Sequence, residues 1–110
     1  MTAAMKIDLL YFDGCSSWED TLANVRVTLA REAIAAEIDV VKIQDDAEAA
    51  RWKFLGSPSF QVDGVELWSE KRKNYDLSCR VYVTPAGMKG APTIEMLQGK
   101  LRVHIGKPIA

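Results

Sequence analysis

The first half of the chain alternates between strand-like and helix-like hydrophobic patterns. Residues 5–12 form a short apolar run, typical of a strand buried on both faces. From about residue 16 to 35, apolar side chains recur every three or four positions, which predicts a long amphipathic helix. Its inward stripe consists of Trp18, Leu22, Val25, Leu29 and Ala33. The β-branched run at 37–43 predicts a second strand. A strand–helix–strand order with a connection of this length predicts a parallel, right-handed unit.

The middle of the chain changes from a helical period to a period of two. An acidic segment with Asp45 at its N-cap predicts a short helix that ends at Gly56. Residues 57–62 and 65–68 then alternate between apolar and polar side chains. Because Asp63-Gly64 separates them, we expect an antiparallel hairpin.

The last third begins with the least regular part of the chain, residues 69–91. Within it, residues 77–83 could form a short edge strand, and residues 84–87 read as a turn. A final helix follows, with Pro92 in its first position. Its apolar face consists of Ile94, Leu97, Leu101 and Ile105.

Length and composition predict one ordinary globular domain over residues 1–110. Apolar residues make up 48% of the chain and charged residues 26%, which excludes wholesale disorder. A formal net charge of −1 gives no global field to attract nucleic acid or a membrane surface. No run approaches the roughly 20 apolar residues of a membrane span. Lys6 alone precedes an apolar run that Asp8 interrupts, and no small-residue cleavage site follows, so we expect a cytoplasmic protein without a signal peptide.

The residue that suggests chemistry is Cys15, between the first strand and the first helix. Unpaired backbone N–H groups and the helix dipole favour a thiolate at such a position. Asp13, Glu19 and Asp20 act in the opposite direction because nearby carboxylates raise a thiol pKa. We therefore expect a reactive but not strongly acidified thiol. The alternative is a small buried apolar residue, a common role for free cysteine.

The order β-α-β-α-β-β-α resembles the thioredoxin-like superfamily, which includes thioredoxins and glutaredoxins. Two residues carry the resemblance: Cys15 after the first strand, and Pro58, preceded by Ser57, where the third strand opens. It implies an α/β fold whose mixed four-stranded sheet has the order second, first, third, fourth. The third and fourth strands are expected antiparallel to the first, helices flank the sheet, and an extended segment precedes the last helix.

The resemblance also implies roles for individual residues. Cys15 matches the first cysteine of the family's Cys-x-x-Cys motif, and Pro58 matches its cis-proline. Trp18 stands where the second cysteine would be. Trp18, Ser57 and Pro58 are therefore substrate-binding candidates, although Trp18 could equally be a core residue of the helix stripe.

The resemblance further suggests a site for a small thiol. Gly90 opens a Gly-Ala-Pro-Thr segment loosely similar to the one that helps glutaredoxins to hold glutathione. The basic run 71–73 is either a solvated loop or a rim for the carboxylates of such a ligand.

The implied topology brings the second cysteine, Cys79, towards the same sheet edge. Two roles are open for Cys79: a structural cysteine, or a resolving thiol whose thiolate Arg80 would favour if the guanidinium points towards it. We carry the resolving thiol forward. The leading hypothesis is a thiol–disulfide oxidoreductase in which Cys15 attacks a protein or small-molecule disulfide. Cys79 or an external thiol such as glutathione then resolves the mixed disulfide, without any other cofactor.

Two other classes of function fit the same residues. One is a non-catalytic thioredoxin-like module for partner binding or homodimerisation. The other is soft-metal or organometal capture by the two thiols, which lacks support from ligand spacing. His104 is the only histidine, so the chain has few ligands for a structural zinc.

Overall fold

The computed structural model describes residues 5–14 and 18–106. These residues form an α/β fold with a four-stranded mixed sheet, a two-stranded sheet and three helices. Along the chain the elements are β1 (Met5–Tyr11), α1 (Trp18–Glu32), β2 (Ala36–Lys42), α2 (Asp46–Trp52), β3 (Ser59–Val62), β4 (Val65–Glu66), β5 (Tyr82–Thr84), β6 (Gly87–Lys89) and α3 (Ile94–His104). In the described ranges no helix is both long and apolar enough to span a membrane.

The main sheet has the strand order β2-β1-β3-β4, as expected from the sequence. β1 pairs in parallel with β2, and β3 pairs antiparallel with β1. β4 pairs antiparallel with β3 and therefore runs in the same direction as β1. The expectation that β4 would run antiparallel to the first strand was wrong. The carboxyl ends of β1 and β4 and the start of β3 consequently lie at one edge of the sheet.

The core divides between the two faces of the sheet because successive strand residues point to opposite sides. On one face, α1 and α3 pack over a cluster that includes Leu9 and Phe60, which are register partners in β1 and β3. On the other face, α2 covers Leu10, which clusters with Ile43 and Phe54. All of these side chains are 0–1% exposed, so the sheet is covered on both faces, as the apolar first strand predicted.

The first helix ends earlier than its hydrophobic period suggested. α1 ends at Glu32, and the next residue, Ala33, is exposed with a left-handed φ of 53°. The apolar stripe therefore stops at Leu29, and Ala33 does not extend it inward. Residues 16 and 17, the predicted start of this helix, lie outside the described residues.

The caps of the other helices confirm one prediction and correct two. Asp45 is the N-cap of α2, and its side chain accepts a hydrogen bond from the Glu48 amide. That helix ends at Lys53, which adopts the left-handed conformation, rather than at Gly56. Thr93, not Pro92, starts α3, because its hydroxyl accepts from the Met96 amide.

Residues 56–106 contain two hairpins, of which the sequence predicted one. Asp63 and Gly64 both have positive φ and connect β3 to β4 as expected. The second hairpin pairs β5 with β6 around the predicted turn. The edge strand expected at 77–83 is thus regular only from Tyr82 onward, and β6 was missed.

Candidate functional site

Cys79 lies at the turn that follows β1. It is disulfide-bonded and exposed, and its Sγ lies 3.9 Å from the carbonyl oxygen of Gly14. Gly14 directly precedes Cys15 in the sequence. Cys15 itself lies outside the described residues, so its predicted reactivity stays a prediction. The fold brings Cys79 to the end of β1, although 65 positions separate it from Gly14.

The start of β3 lies at the same edge. The Ser57–Pro58 peptide bond is cis, as expected from the sequence. Ser57 is 1% exposed, and its hydroxyl oxygen lies 3.3 Å from the Phe12 amide, which donates to it. The side chain of Pro58 is fully buried. A hydrogen bond therefore joins the segment before the predicted cysteine turn to the cis-proline segment.

Residues 77–83 form an extended segment, here called the strap, that pairs with Ser57. The Ser57 amide donates to the Ser78 carbonyl at 2.8 Å, and the Arg80 amide donates to the Ser57 carbonyl at 3.0 Å. These two bonds form a parallel bridge between Ser57 and Cys79. The main-chain groups of Ser57 are therefore used within the chain itself.

Side chains of the strap alternate between solvent and interior. The exposed positions are Leu77, Cys79, Val81 and Val83, and the inward positions are Ser78, Arg80 and Tyr82. Tyr82 is 3% exposed and its hydroxyl donates to the Pro58 carbonyl. The strap thus places Cys79 on its outer side, between the inward-facing Ser78 and Arg80.

Arg80 is the principal inward anchor of the strap. Its Nη1 lies 3.0 Å from Glu66 Oε1, and both side chains are only about a tenth exposed (10% and 11%). Its Nη2 donates to the Trp68 carbonyl, and the guanidinium lies 5.3 Å from the centre of the Tyr82 ring. The guanidinium is engaged on the side of the strap opposite Cys79. Its contacts therefore do not support the expected stabilisation of a Cys79 thiolate by Arg80.

Glu66 is a strongly perturbed carboxyl group. Burial raises its pKa to about 7, and the positive charge of Arg80 opposes that rise. Burial likewise raises the pKa of Tyr82 above its usual value. The Glu66 carboxyl group, which pairs with Arg80 beside the strap, therefore titrates near neutral pH and not in the usual carboxylate range.

Gly56 allows the strap to approach the start of β3 closely. Its φ is +113°, and a Cβ at this position would lie 2.9 Å from Arg80 Cβ and 3.0 Å from the Arg80 backbone nitrogen. Real Cβ atoms essentially never make contacts under 3.0 Å. Gly56 is required for both its conformation and this contact, not as the helix cap that the sequence suggested.

Two of the predicted binding residues lie in different settings. Trp18 is half-buried, stacks on Tyr11 with ring centres 4.4 Å apart, and packs against the main core. Gly90 is exposed and follows β6 directly.

Arg72, in the basic run 71–73, donates to the Leu55 carbonyl and pairs with Glu70. The run is therefore partly tied to the protein and not wholly a solvated rim.

A cleft of about 320 Å³ opens between the strap residue Leu77 and the ends of β1 and β2. Its lining residues come from the ends of β1 and β2 and from the strap: Phe12, Asp13, Lys42, Ile43, Gln44 and Leu77. An exposed ion pair joins Lys42 Nζ to Asp13 Oδ2 at 2.6 Å, and it raises the pKa of Lys42. A cleft of about 390 Å³ on the α2 side contains Glu66 instead.

Sequence reasoning missed Gly56, Glu66 and Tyr82. In β4 the usual pattern is reversed, because Val65 is 56% exposed whereas Glu66 is largely buried. The one sequence feature that could have pointed to this buried cluster is Arg80, a charged residue directly after Cys79.

Across residues 5–14 and 18–106, no group of three or more His, Cys, Asp or Glu could hold a metal ion. A metal site that includes Cys15 lies outside that test. No family model matches the chain, and no curated protein or solved structure is significantly similar to it.

Proposed function

We propose that the protein is a small thiol–disulfide oxidoreductase of thioredoxin-like fold, with Cys15 and Cys79 as its redox pair. One observation carries the proposal: Cys79 is disulfide-bonded and lies 3.9 Å from Gly14, the residue before Cys15. The chain has two cysteines, so Cys15 is the partner that this placement favours.

The arrangement of the sheet supports the fold part of the proposal. The order β2-β1-β3-β4, with β3 antiparallel to β1, is the order that the sequence resemblance implies. The cis peptide bond before Pro58 stands at the start of β3, where the resemblance requires it. Trp18 occupies the motif position of the second cysteine, and we propose that Cys79 in the strap takes the role of that cysteine.

The chemistry follows from two successive exchanges. In the reduced protein, the Cys15 thiolate attacks one sulfur of a substrate disulfide, forms a mixed disulfide and releases the other sulfur as a thiolate. Cys79 then loses its proton to solvent and attacks Cys15 Sγ, which releases the second substrate thiolate. The protein is oxidised to a Cys15–Cys79 disulfide and the substrate is reduced to two thiols. The reverse sequence oxidises a substrate dithiol.

The exposed side of the strap is where a substrate would approach. Because Ser57 already pairs with the strap, Ser57 and Pro58 contribute by positioning Cys79 rather than by main-chain pairing with a substrate. The cleft that Leu77 of the strap shares with Lys42 and Asp13 is the proposed place for a small thiol such as glutathione as co-substrate. Substrate contact by Trp18 and Gly90 stays a prediction from the sequence.

Mass spectrometry on the intact protein tests this function. After mild oxidation we expect the wild type to lose two hydrogen atoms, with a Cys15–Cys79 peptide pair after digestion. Cys79→Ser should instead accumulate a Cys15–glutathione adduct when treated with oxidised glutathione. Cys15→Ser, treated in the same way, is the matched control, because it measures how readily Cys79 alone reacts with oxidised glutathione. Two cysteines that neither pair nor form adducts in the native protein would contradict the proposal.

A second candidate is a non-catalytic module that associates through the β5–β6 hairpin. Val83 and Met88 are cross-strand neighbours and are 74% and 65% exposed, an unusually open apolar pair. This candidate predicts a mass that rises with concentration and falls back in Val83→Lys. Val103→Lys is a matched control, because Val103 is 66% exposed on α3. A concentration-independent monomer mass would refute self-association.

A further inference from the structure

The strap is held more firmly at Arg80 than its exposed residues suggest. The guanidinium pairs with Glu66 at 3.0 Å and with Glu70 at 3.6 Å, and it donates to the Trp68 carbonyl. These three groups belong to β4 and to the chain immediately after it. The backbone nitrogen of Arg80 is bound separately, to the Ser57 carbonyl. Arg80 therefore joins the strap both to the start of β3 and to the end of β4.

We propose that Arg80, held by Glu66, is a positioning residue that fixes Cys79 beside the turn after β1 and thereby favours closure of the Cys15–Cys79 disulfide. The inference rests on the proposed function, because it concerns the same redox pair. It assigns a role to two residues that do not touch the reacting sulfur atoms.

The physical reason is the effective concentration of one thiol at the other. Closing an intramolecular disulfide is favoured when both sulfur atoms are already held in reach, because less conformational freedom is lost in the step. Cys79 is exposed, whereas the Arg80 side chain is only 10% exposed and is bonded to Glu66, to Glu70 and to the Trp68 carbonyl. Adjacent residues share a peptide plane, so fixing Arg80 limits where Cys79 can lie.

The geometry argues against an electrostatic role for Arg80 on the thiol. Side chains at successive extended positions point to opposite sides, and the guanidinium faces Glu66 while Cys79 faces solvent. Removal of Arg80 should therefore act on disulfide closure through the position of the strap.

An equilibrium with glutathione measures this directly. One oxidised glutathione and the protein dithiol exchange to give the protein disulfide and two reduced glutathione molecules, so atoms and electrons balance. We expect Arg80→Met to lower this equilibrium constant by about tenfold or more, which is about 30 mV in reduction potential. Arg80→Lys keeps the charge but not the planar set of donors, and should recover part of the loss.

Arg102→Met is the matched control. Arg102 also pairs with a buried carboxylate, with its Nε 2.7 Å from Glu32 Oε1, but on the face between α1 and α3. The Arg102→Met variant should have a lower thermal stability, while its equilibrium constant with glutathione stays within about twofold of wild type. Glu66→Gln supplies a second test at the site itself, in case Arg80→Met folds poorly, and it should shift the equilibrium in the same direction.

Two results would overturn the inference. One is an unchanged equilibrium constant in both Arg80→Met and Glu66→Gln while the wild type exchanges normally with glutathione. The other is an equal shift in Arg102→Met, which would make the effect one of general stability. Absence of any exchange in the wild type is a different result, since it would refute the proposed function and, with it, this inference.

Discussion

Replacing Gly56 with alanine tests whether close approach of the strap places Cys79. Alanine at a φ of +113° is strained, at a cost of about 1–3 kcal/mol. The added Cβ would also meet the backbone of Arg80, so the strap must move away. That movement lengthens or breaks the two hydrogen bonds between Ser57 and the strap, which contribute about 0.5–1.5 kcal/mol each. We expect a total loss of about 2–6 kcal/mol in unfolding free energy.

Gly87→Ala provides the matched control. Gly87 has a similar φ of +103°, but a Cβ there would meet nothing within 4 Å. Gly87→Ala should therefore lose only the unfolding free energy that the strained backbone conformation costs, about 1–3 kcal/mol. The difference of about 1–3 kcal/mol between the two variants corresponds to roughly a 5- to 150-fold change in an equilibrium constant.

Two assays measure this difference. Urea denaturation of the reduced proteins gives the unfolding free energies, and titration with reduced and oxidised glutathione gives the equilibrium of disulfide closure. We expect Gly56→Ala to have both a lower unfolding free energy and a lower equilibrium constant for disulfide closure than Gly87→Ala. Equal values for the two alanine variants in both assays would refute the reasoning, because they would show that the contact with Arg80 has no energetic effect.

Three further predictions concern the rest of the fold. Because the pKa of Glu66 is raised to about 7 from 4.5, its contribution to stability is complete below pH 4.5 and is lost as the pH rises through about 7. Relative to Glu66→Gln, the wild type should lose about 3 kcal/mol over that range in pH-dependent urea denaturation, and a constant difference would contradict the shift. Phe54→Ala should cost about 3–5 kcal/mol in the same assay, since Phe54 is 0% exposed, and a loss below about 1 kcal/mol would argue against its burial. Asp45→Ala should cost about 1 kcal/mol through loss of the α2 cap, whereas Asp46→Ala, next to it, should cost less; equal losses would argue against the cap.

The elements of the main sheet could be predicted because their patterns are local. The apolar run at 5–12, the β-branched run at 37–43 and the Asp63-Gly64 turn each specify one element from neighbouring residues. Their order then limits the topology, since parallel neighbours require a right-handed connection. The errors at Ala33 and Lys53 are local too, because apolar periodicity does not show where a left-handed residue ends a helix.

The strap could not be predicted in the same way. Its position depends on Gly56 and Glu66, which are 24 and 14 positions away from Arg80. The sequence shows a glycine after a short helix and a charged residue in a hairpin, and both have ordinary local explanations. Only the folded chain brings Gly56 and Glu66 next to Arg80.

The alternation of the strap makes the chain unusually sensitive to length at this point. Insertion or deletion of a single residue just after Leu77 would turn the following side chains of the strap to the opposite surface. The sulfur of Cys79 would then point into the protein and the charge of Arg80 would point into water. A single substitution in this stretch changes one side chain, whereas a change of one residue in its length would move the sulfur away from the turn after β1.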